Sequence, residues 1–345
     1  MTEIIFTILT ISLLIYVLLG GADFGAGILE LFTRGKASKI VADAIAPVWE
    51  ANHVWLILVI VILFVGFPPV YSTVLTALHI PLLLALIGII FRGSAFTFRH
   101  YDIEDEKPKA VYSAIFRYSS LFTTFFLGVT LGGVILGEIT TDFTNGFYMV
   151  YIHPWFNLFS VSLGIFLIIL FAFLANIYTL GEIEDEQEVE RFARLAKYMI
   201  AALVVAGGVV FAAAEINGHP LLQEFLDSPV SIGSVVLATL ALPLLWINLK
   251  RNRQNLLRIV AGFQTTMIVA GWFAIQFPIL VNIKDAPDIT LQNAAAPEQV
   301  QFYMLIALVV GVLIIFPYIG YLYKVFKFSS VSEPPQNVNE DSAEK

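Results

Sequence analysis

The chain has 345 residues, of which 58% are hydrophobic and 13% charged, and its mean hydropathy is +0.83. A soluble domain carries about 25% charged residues and cannot bury this much apolar surface, so the composition excludes one and indicates a membrane protein. The net charge of −8 comes without a basic patch for nucleic acid, and the absence of cysteine excludes disulfides and cysteine-ligated metal or haem groups.

Long apolar runs predict an all-α integral membrane protein with nine transmembrane helices. Each run approaches or exceeds the roughly 20 residues that a helix needs to cross a bilayer. In chain order the predicted spans are 4–31, 48–67, 72–97, 114–137, 155–179, 198–215, 230–249, 258–281 and 301–325.

The second and third spans are separated only by the segment FPPVYS. Pro68 and Pro69 cannot continue a helix without losing backbone hydrogen bonds. The interpretation is a tight turn between two spans, with the third span starting at residue 72.

The basic residues predict the orientation of the chain. With nine spans, every Lys and Arg except Lys284 falls on one side, which the positive-inside rule makes cytoplasmic. We therefore expect the N-terminus outside and the C-terminus in the cytoplasm. Residues 1–328 are predicted to form a single membrane domain, followed by a disordered polar tail over 329–345.

The first candidate site residue is Asp23, in the segment GGADFGAG near the cytoplasmic end of the first span. A charge inside a bilayer costs roughly 2.5–3.5 kcal/mol and needs a partner or a function. Gly21 and Gly25 form a small-xxx-small pair that lets another helix approach closely. Two interpretations remain open: a polar residue at a glycine-rich helix end, or a buried carboxylate that faces a partner helix.

Glu50 and His53 lie one helical turn apart in the segment APVWEANHVW, just after Pro47. A carboxylate in the first turn of a helix is favoured by the helix dipole, so Glu50 has a purely structural interpretation beside a functional one. Di-iron helical bundles use Glu-x-x-His twice, whereas this chain contains it once, which excludes such a metal site. The reference pKa of histidine, about 6.5, would permit His53 to relay protons. A lone histidine in an apolar helix is, however, more often a hydrogen-bonded packing residue than a functional one.

Arg92 and Arg99 lie towards the cytoplasmic end of the third span, in FRGSAFTFR. Arg92 is predicted either to extend to the interface or to pair with Asp23 or Glu50. Arg99 is expected at the interface.

Haem ligation by this chain is not expected. No two histidines lie at matched depth on helices that would face each other, so we predict neither a bound cofactor nor a metal site.

The motifs GGADFGAG, APVWEANHVWLI and FRGSAFTFR, in this order on the first three spans, resemble those of subunit II of the cytochrome bd-type quinol oxidases. The resemblance in span count, topology and length covers the chain to about residue 328. It implies a terminal oxidase of the respiratory chain that oxidises quinol and reduces dioxygen to water, with proton uptake from the cytoplasm. It also implies a partner subunit I that holds haem b, haem d and the quinol site, with membrane lipid around both subunits and a small accessory subunit as a further candidate partner.

Carried over by motif, the resemblance makes Glu50 a proton-delivery group, and it makes Asp23 and Arg92 buried polar partners that stabilise either the subunit interface or the proton path. It places Trp55 on an apolar route for dioxygen and leaves His53 as a candidate relay. Members of the family can carry Asp and Gln at the positions of Glu50 and His53. Two rival interpretations stay open: a secondary transporter, and a purely structural docking subunit.

Overall fold

The computed structural model describes residues 1–33, 37–38, 40–41, 49–101, 106–183 and 185–323. Most of these residues are helical, which confirms the all-α prediction; the only strands among them are two short ones. The helices are α1 (Thr2–Leu29), α2 (Trp49–Gly66), α3 (Pro68–Ala77), α4 (His79–Tyr101), α5 (Glu106–Ile135), α6 (Gly146–Tyr151), α7 (Leu158–Leu180), α8 (Glu186–Ile216), α9 (Leu221–Asp227), α10 (Pro229–Lys250), α11 (Gln254–Gln276), α12 (Leu291–Ala294) and α13 (Glu298–Tyr323). The antiparallel strands are β1 (Ile279–Val281) and β2 (Ile289–Thr290).

Eight helices in the described part of the chain are long and apolar enough to cross a membrane. A ninth candidate is the bent pair formed by Ala51–Gly66 and Pro68–Ala77. The count of eight or nine agrees with the nine predicted spans. The outside position of the N-terminus stays a prediction, and the tail over 329–345 lies outside the described residues.

The chain turns sharply at FPPVYS, as predicted, but the turn does not lead directly into the third span. Pro68 and Pro69 instead begin the helix α3, which leaves α2 at an angle of 113°. Proline is well tolerated at the first positions of a helix, because the N–H group that it lacks would have no partner there. The third span therefore starts at His79 rather than at residue 72.

Two spans are also longer than hydropathy alone predicts. The sixth span begins at Glu186, where the Asp185 carboxylate accepts a hydrogen bond of 2.9 Å from the backbone N–H of Gln187. This N-cap stabilises a charged first turn that extends beyond the apolar part of the helix. The fourth span likewise starts at Glu106.

Helix α7 lies at the centre of the bundle. The C-terminal half of α1, together with α5, α8 and α11, packs against it. Phe171, Phe173 and Leu174 on this helix are almost fully buried. A second core joins the N-terminal half of α1 to α2, α3 and β1, so α1 contributes to both cores.

A cluster of polar loop residues closes the end of the bundle at which α1 begins; we call Thr140, Thr141, Asp142 and Asp285 the loop cluster. The Asp285 carboxylate accepts hydrogen bonds from the Thr140 hydroxyl and from the backbone N–H groups of Thr141 and Asp142, the latter two at 2.9 and 3.1 Å. The Thr140 hydroxyl, followed by the N–H of Thr141, holds the pKa of Asp285 well below its usual range. The loop after α5 is thereby tied to the connection between α11 and α13.

Candidate proton-transfer site

A buried ion pair joins α1 to α4. Arg92 Nη2 lies 2.7 Å from Asp23 Oδ1, and the two residues are 1% and 2% exposed. Charges at this depth are tolerated when they neutralise each other and make further hydrogen bonds. The structure thus places Arg92 beside Asp23, one of the two carboxylates that the sequence offered as partners.

The Arg92 guanidinium has a fixed orientation. Its Nη2 also donates to the Asp23 backbone oxygen at 2.9 Å, and its Nε donates to Ser120 Oγ on α5 at 3.1 Å. The rings of Phe24 and Phe116 lie 4.9 and 5.0 Å from its Cζ, within the range of cation–π attraction. Three helices therefore hold this side chain in place.

The second oxygen of Asp23 is in a different situation. Asp23 Oδ2 is buried and has no hydrogen-bond donor within the described part of the chain. His53 Nε2 on α2 lies 3.8 Å from this oxygen. That distance is too long for a direct hydrogen bond, and a small movement or one bridging water closes it.

His53 is held at the edge of this site by packing. Its ring meets that of Phe24 edge to face at 5.6 Å, and its side chain is 19% exposed. It is thus neither a fully buried core histidine nor a freely solvated one. Phe24 contacts both Arg92 and His53, which makes this ring the apolar wall of the site.

Glu50 belongs by its backbone to the first turn of α2, one helical turn before His53. Its side chain lies outside the described residues. The proton-delivery role of Glu50 therefore stays a prediction. The helix direction places the Glu50 position further from the bundle centre than His53, towards the end of α1 at which Leu29 lies.

A second buried ion pair accompanies the first, and sequence reasoning missed it. Arg99 Nη1 lies 3.0 and 2.9 Å from Glu30 Oε1 and Oε2, and the side chains are 10% and 1% exposed. The interfacial position of Arg99 stays a prediction, since Arg99 is the last residue of its candidate span. Its charge is neutralised inside the protein by a carboxylate at the end of α1.

The two ion pairs have the same spacing along α1 and along α4. Glu30 follows Asp23 by seven residues on α1, and Arg99 follows Arg92 by seven on α4. The Phe116 ring on α5 lies between them, 5.0 Å from Arg92 Cζ and 4.6 Å from Arg99 Cζ. Two charged layers about two helical turns apart thus continue from the centre of the bundle to its end.

Glycine allows α1 to approach α7 closely beside Asp23. A Cβ atom at Gly25 would lie 1.8 Å from the backbone oxygen of Phe171, and one at Gly21 would lie 2.7 Å from the Phe171 ring. The predicted small-xxx-small pair is confirmed as a helix-packing face. This contact fixes the depth and rotation of the α1 segment that carries Asp23.

A π-helical segment, Tyr16–Gly20, interrupts α1 one turn before Asp23. Such wide turns are rare and frequent near functional sites. The Tyr16 ring covers Gly20 and lies edge-on to Phe24 at 6.5 Å, and its buried hydroxyl has no partner among the described residues. No sequence pattern indicated this segment.

Trp55 lies half-buried on α2, two residues beyond His53. Its ring meets that of Phe316 on α13 edge to face at 5.9 Å, and it packs against the core around α7. These surroundings are apolar, as a dioxygen route needs, and the role of Trp55 in such a route stays a prediction.

The histidines of the described chain do not form a haem site. His79 Nδ1 lies 2.9 Å from the Thr76 backbone oxygen, and the rings of His153 and His219 lie 3.5 Å from Glu138 and Glu224. Each of these three histidines thus contacts a group of this chain. The described residues also contain no group of three His, Asp or Glu that could hold a metal ion.

Comparison with known proteins gives a consistent result. The model of the family described as cytochrome bd terminal oxidase subunit II matches residues 1–326. Cytochrome bd ubiquinol oxidase subunit 2 of Bacillus subtilis is 25% identical over 307 residues, which cover 87% of each chain. Cytochrome bd-I ubiquinol oxidase subunit 2 of Escherichia coli is 29% identical over 119 residues, which are 34% of this chain and 31% of that protein.

The fold has a solved counterpart in the bd oxidase from Geobacillus thermodenitrificans. The TM-score is 0.73 at 19% identity, and the match covers 95% of this chain and 98% of that chain. At this identity the likeness shows the fold. Because the family match extends over nearly the whole sequence, the chain belongs to the cytochrome bd terminal oxidase subunit II family.

Proposed function

We propose that the residues around Asp23 carry protons from the cytoplasmic surface towards the partner subunit of a quinol-oxidising, dioxygen-reducing complex. The chain is subunit II of this multi-pass complex of the bacterial cytoplasmic membrane. Family membership implies a subunit I that holds the haems, and these supply the electron transfer and dioxygen reduction. The family assignment favours this function over the secondary transporter that the sequence left open.

The chemistry of the complex explains why a proton route is needed. Two quinols supply four electrons to one dioxygen, and four protons must reach the same buried place to form two waters. An apolar membrane layer supplies no protons, so a chain of polar groups must cross part of it.

One observation carries the proposal: Asp23 uses one carboxylate oxygen to neutralise Arg92 and presents the other to His53. The carboxylate stays in place while Oδ2 accepts a proton, because Arg92 holds it through Oδ1. His53, at 3.8 Å, lies between Asp23 and the position of Glu50 one turn earlier on α2. The proposed order of transfer is therefore Glu50, His53, Asp23.

The test compares Glu50→Gln with Glu50→Asp in the assembled complex. We expect Glu50→Gln to lower quinol oxidation by about 100-fold, the usual size of a lost proton-transfer group, and Glu50→Asp to keep most of it. Haem spectra, as a measure of assembly, should be normal in both. A wild-type rate in Glu50→Gln with normal haem content would contradict the proposal.

A purely structural function has one observation in its favour. Both ion pairs, Asp23–Arg92 and Glu30–Arg99, tie α1 to α4 within this chain. If they act only as clamps, His53→Gln keeps the rate and its pH profile, since His53 makes no hydrogen bond to Asp23. If His53 relays protons, His53→Gln lowers the rate and removes one titration step from its pH profile.

Trp55 and the neighbouring Phe316 are proposed to border an apolar route for dioxygen. Dioxygen is apolar and moves between hydrophobic side chains. The Trp55 ring on α2 and the Phe316 ring on α13 meet where these two helices face each other. A substitution that narrows the route between these two rings should raise the KM for dioxygen without changing the KM for quinol.

A further inference from the structure

One contact links α8 to α10 on a face of the protein far from the proposed proton route. Lys197 Nζ lies 5.5 Å from the centre of the Trp246 ring. Elsewhere these two helices touch at few points, because α8 packs on α7 and α10 packs on α11. Lys197 and Trp246 therefore mark one end of the surface along which α8 and α10 run side by side, which we call the groove.

The same end of the groove is positively charged. Arg194 lies three residues before Lys197 and Lys250 four residues after Trp246, so both belong to the faces that meet there. In the described chain no carboxylate comes within 4.0 Å of these three basic groups. Glu190, one turn before Arg194, offsets one of the three charges, and the local balance stays positive.

The α8 wall of the groove is apolar and unobstructed. Ala201, Val204 and Gly208 follow Lys197 on the same helix face, and all three are exposed, Val204 at 54%. A Cβ atom built at Gly208 would meet nothing within 4 Å, so no other part of the described chain covers the wall at this residue. Small side chains make it shallow and smooth.

The α10 wall continues the same surface. Val235 and Thr239 precede Trp246 on one helix face and are exposed, Val235 at 44%. The Thr239 hydroxyl donates to the Val235 backbone oxygen at 2.8 Å, so it offers no free polar group to the groove. Both walls therefore present apolar surface to whatever lies between them.

We propose that this groove binds one anionic phospholipid. Its phosphate lies at Lys197, Lys250 and Arg194, and an acyl chain follows the apolar walls. A basic cluster at the cytoplasmic end of transmembrane helices, with apolar surface directly behind it, has the chemistry of an anionic headgroup site. Trp246 suits the membrane interface and fixes the Lys197 stem by cation–π attraction.

The experiment uses the assembled complex, exposed to mixed vesicles of phosphatidylglycerol and phosphatidylcholine and then repurified. Lipid mass spectrometry counts the phospholipids that remain bound. We expect the wild type to retain phosphatidylglycerol selectively. The Lys197→Gln, Lys250→Gln double variant should bind it about thirtyfold more weakly, since each basic residue near the surface contributes about fivefold.

Lys109→Gln is the matched control, because Lys109 is exposed at the start of α5 on the same predicted side. It should retain the lipid as the wild type does. Equal retention of both lipids by the wild type, or unchanged retention by the double variant, would overturn the proposal. Lys197→Cys tests whether subunit I covers the groove, because it introduces the sole thiol of this chain. Protection of this thiol by subunit I from a water-soluble maleimide would overturn the proposal as well.

Discussion

The carboxylates of this chain are stabilised in two different ways at the two ends of the bundle. Asp23 and Glu30 are buried between α1 and α4, and each is paired with an arginine. Asp285 in the loop cluster is exposed, and its partners are a hydroxyl group and backbone N–H groups. The first environment neutralises charge, whereas the second only satisfies hydrogen bonds.

The difference follows from what surrounds each carboxylate. At the depth of Asp23 the surroundings are helices and lipid, so an unpaired charge has no solvent to stabilise it. At Asp285 water is present, and neutral donors are sufficient to favour the ionised form. Removal of one partner should thus lower the stability strongly at Asp23 and only slightly at Asp285.

The largest effect is expected for Arg92→Gln. The substitution leaves Asp23 buried without its counter-charge, which costs about 3–5 kcal/mol of stability. The measurement is the thermal midpoint and yield of the haem-containing complex. The double variant with Asp23→Asn should recover part of the loss, because it removes the uncompensated charge. Additive losses would contradict neutralisation as the role of the pair.

An intermediate effect is expected for Glu30→Gln. Arg99 loses the charge of a bidentate partner but keeps an amide oxygen and the Phe116 and Phe96 rings. The expected loss is about 1.5–3 kcal/mol, measured as above. A loss equal to that of Arg92→Gln would show that depth in the bundle does not decide the cost. Haem content should stay normal, because the Asp23 layer is intact.

The smallest effect is expected for Asp285→Asn, which removes a contribution that the wild type loses only in acid. The folded pKa of Asp285 is depressed, so its contribution is present above the unfolded pKa, about 3.9, and is lost as the pH falls through the folded pKa. Hydrogen exchange of residues 137–145 should increase below about pH 4 in the wild type. In Asp285→Asn it should already be raised at neutral pH and depend less on acid. Identical profiles would contradict the tie between the two loops.

Hydropathy and charge predicted the helical spans because a bilayer imposes both length and sidedness on a chain. They also led to Asp23 and Arg92, since a charge inside an apolar run is conspicuous. Glu30 and Arg99 were missed because each lies near a span end, where solvent was the simpler explanation. The shared spacing of seven residues in Asp23/Glu30 and Arg92/Arg99 was visible in the sequence and could have found the second pair.

Other features had no such signal. The start of α3 at Pro68 depends on whether the chain turns or begins a new helix, and proline permits both. The 3.8 Å separation between His53 and Asp23 depends on how α1, α2 and α4 meet. Residues that are distant in sequence acquire such distances only through tertiary packing.

The π-helical segment Tyr16–Gly20 has a consequence for the geometry of α1. A wide turn accommodates about one extra residue and so rotates everything after it by roughly 100° relative to a regular helix. The half with Ile5 and Leu9 can therefore face the core around α2, while the half with Phe24 and Ile28 faces α7. Deletion of a single residue within the segment should therefore convert the wide turn into a regular one and leave Asp23 facing Arg92, whereas the same deletion in a regular part of α1 would rotate Asp23 away.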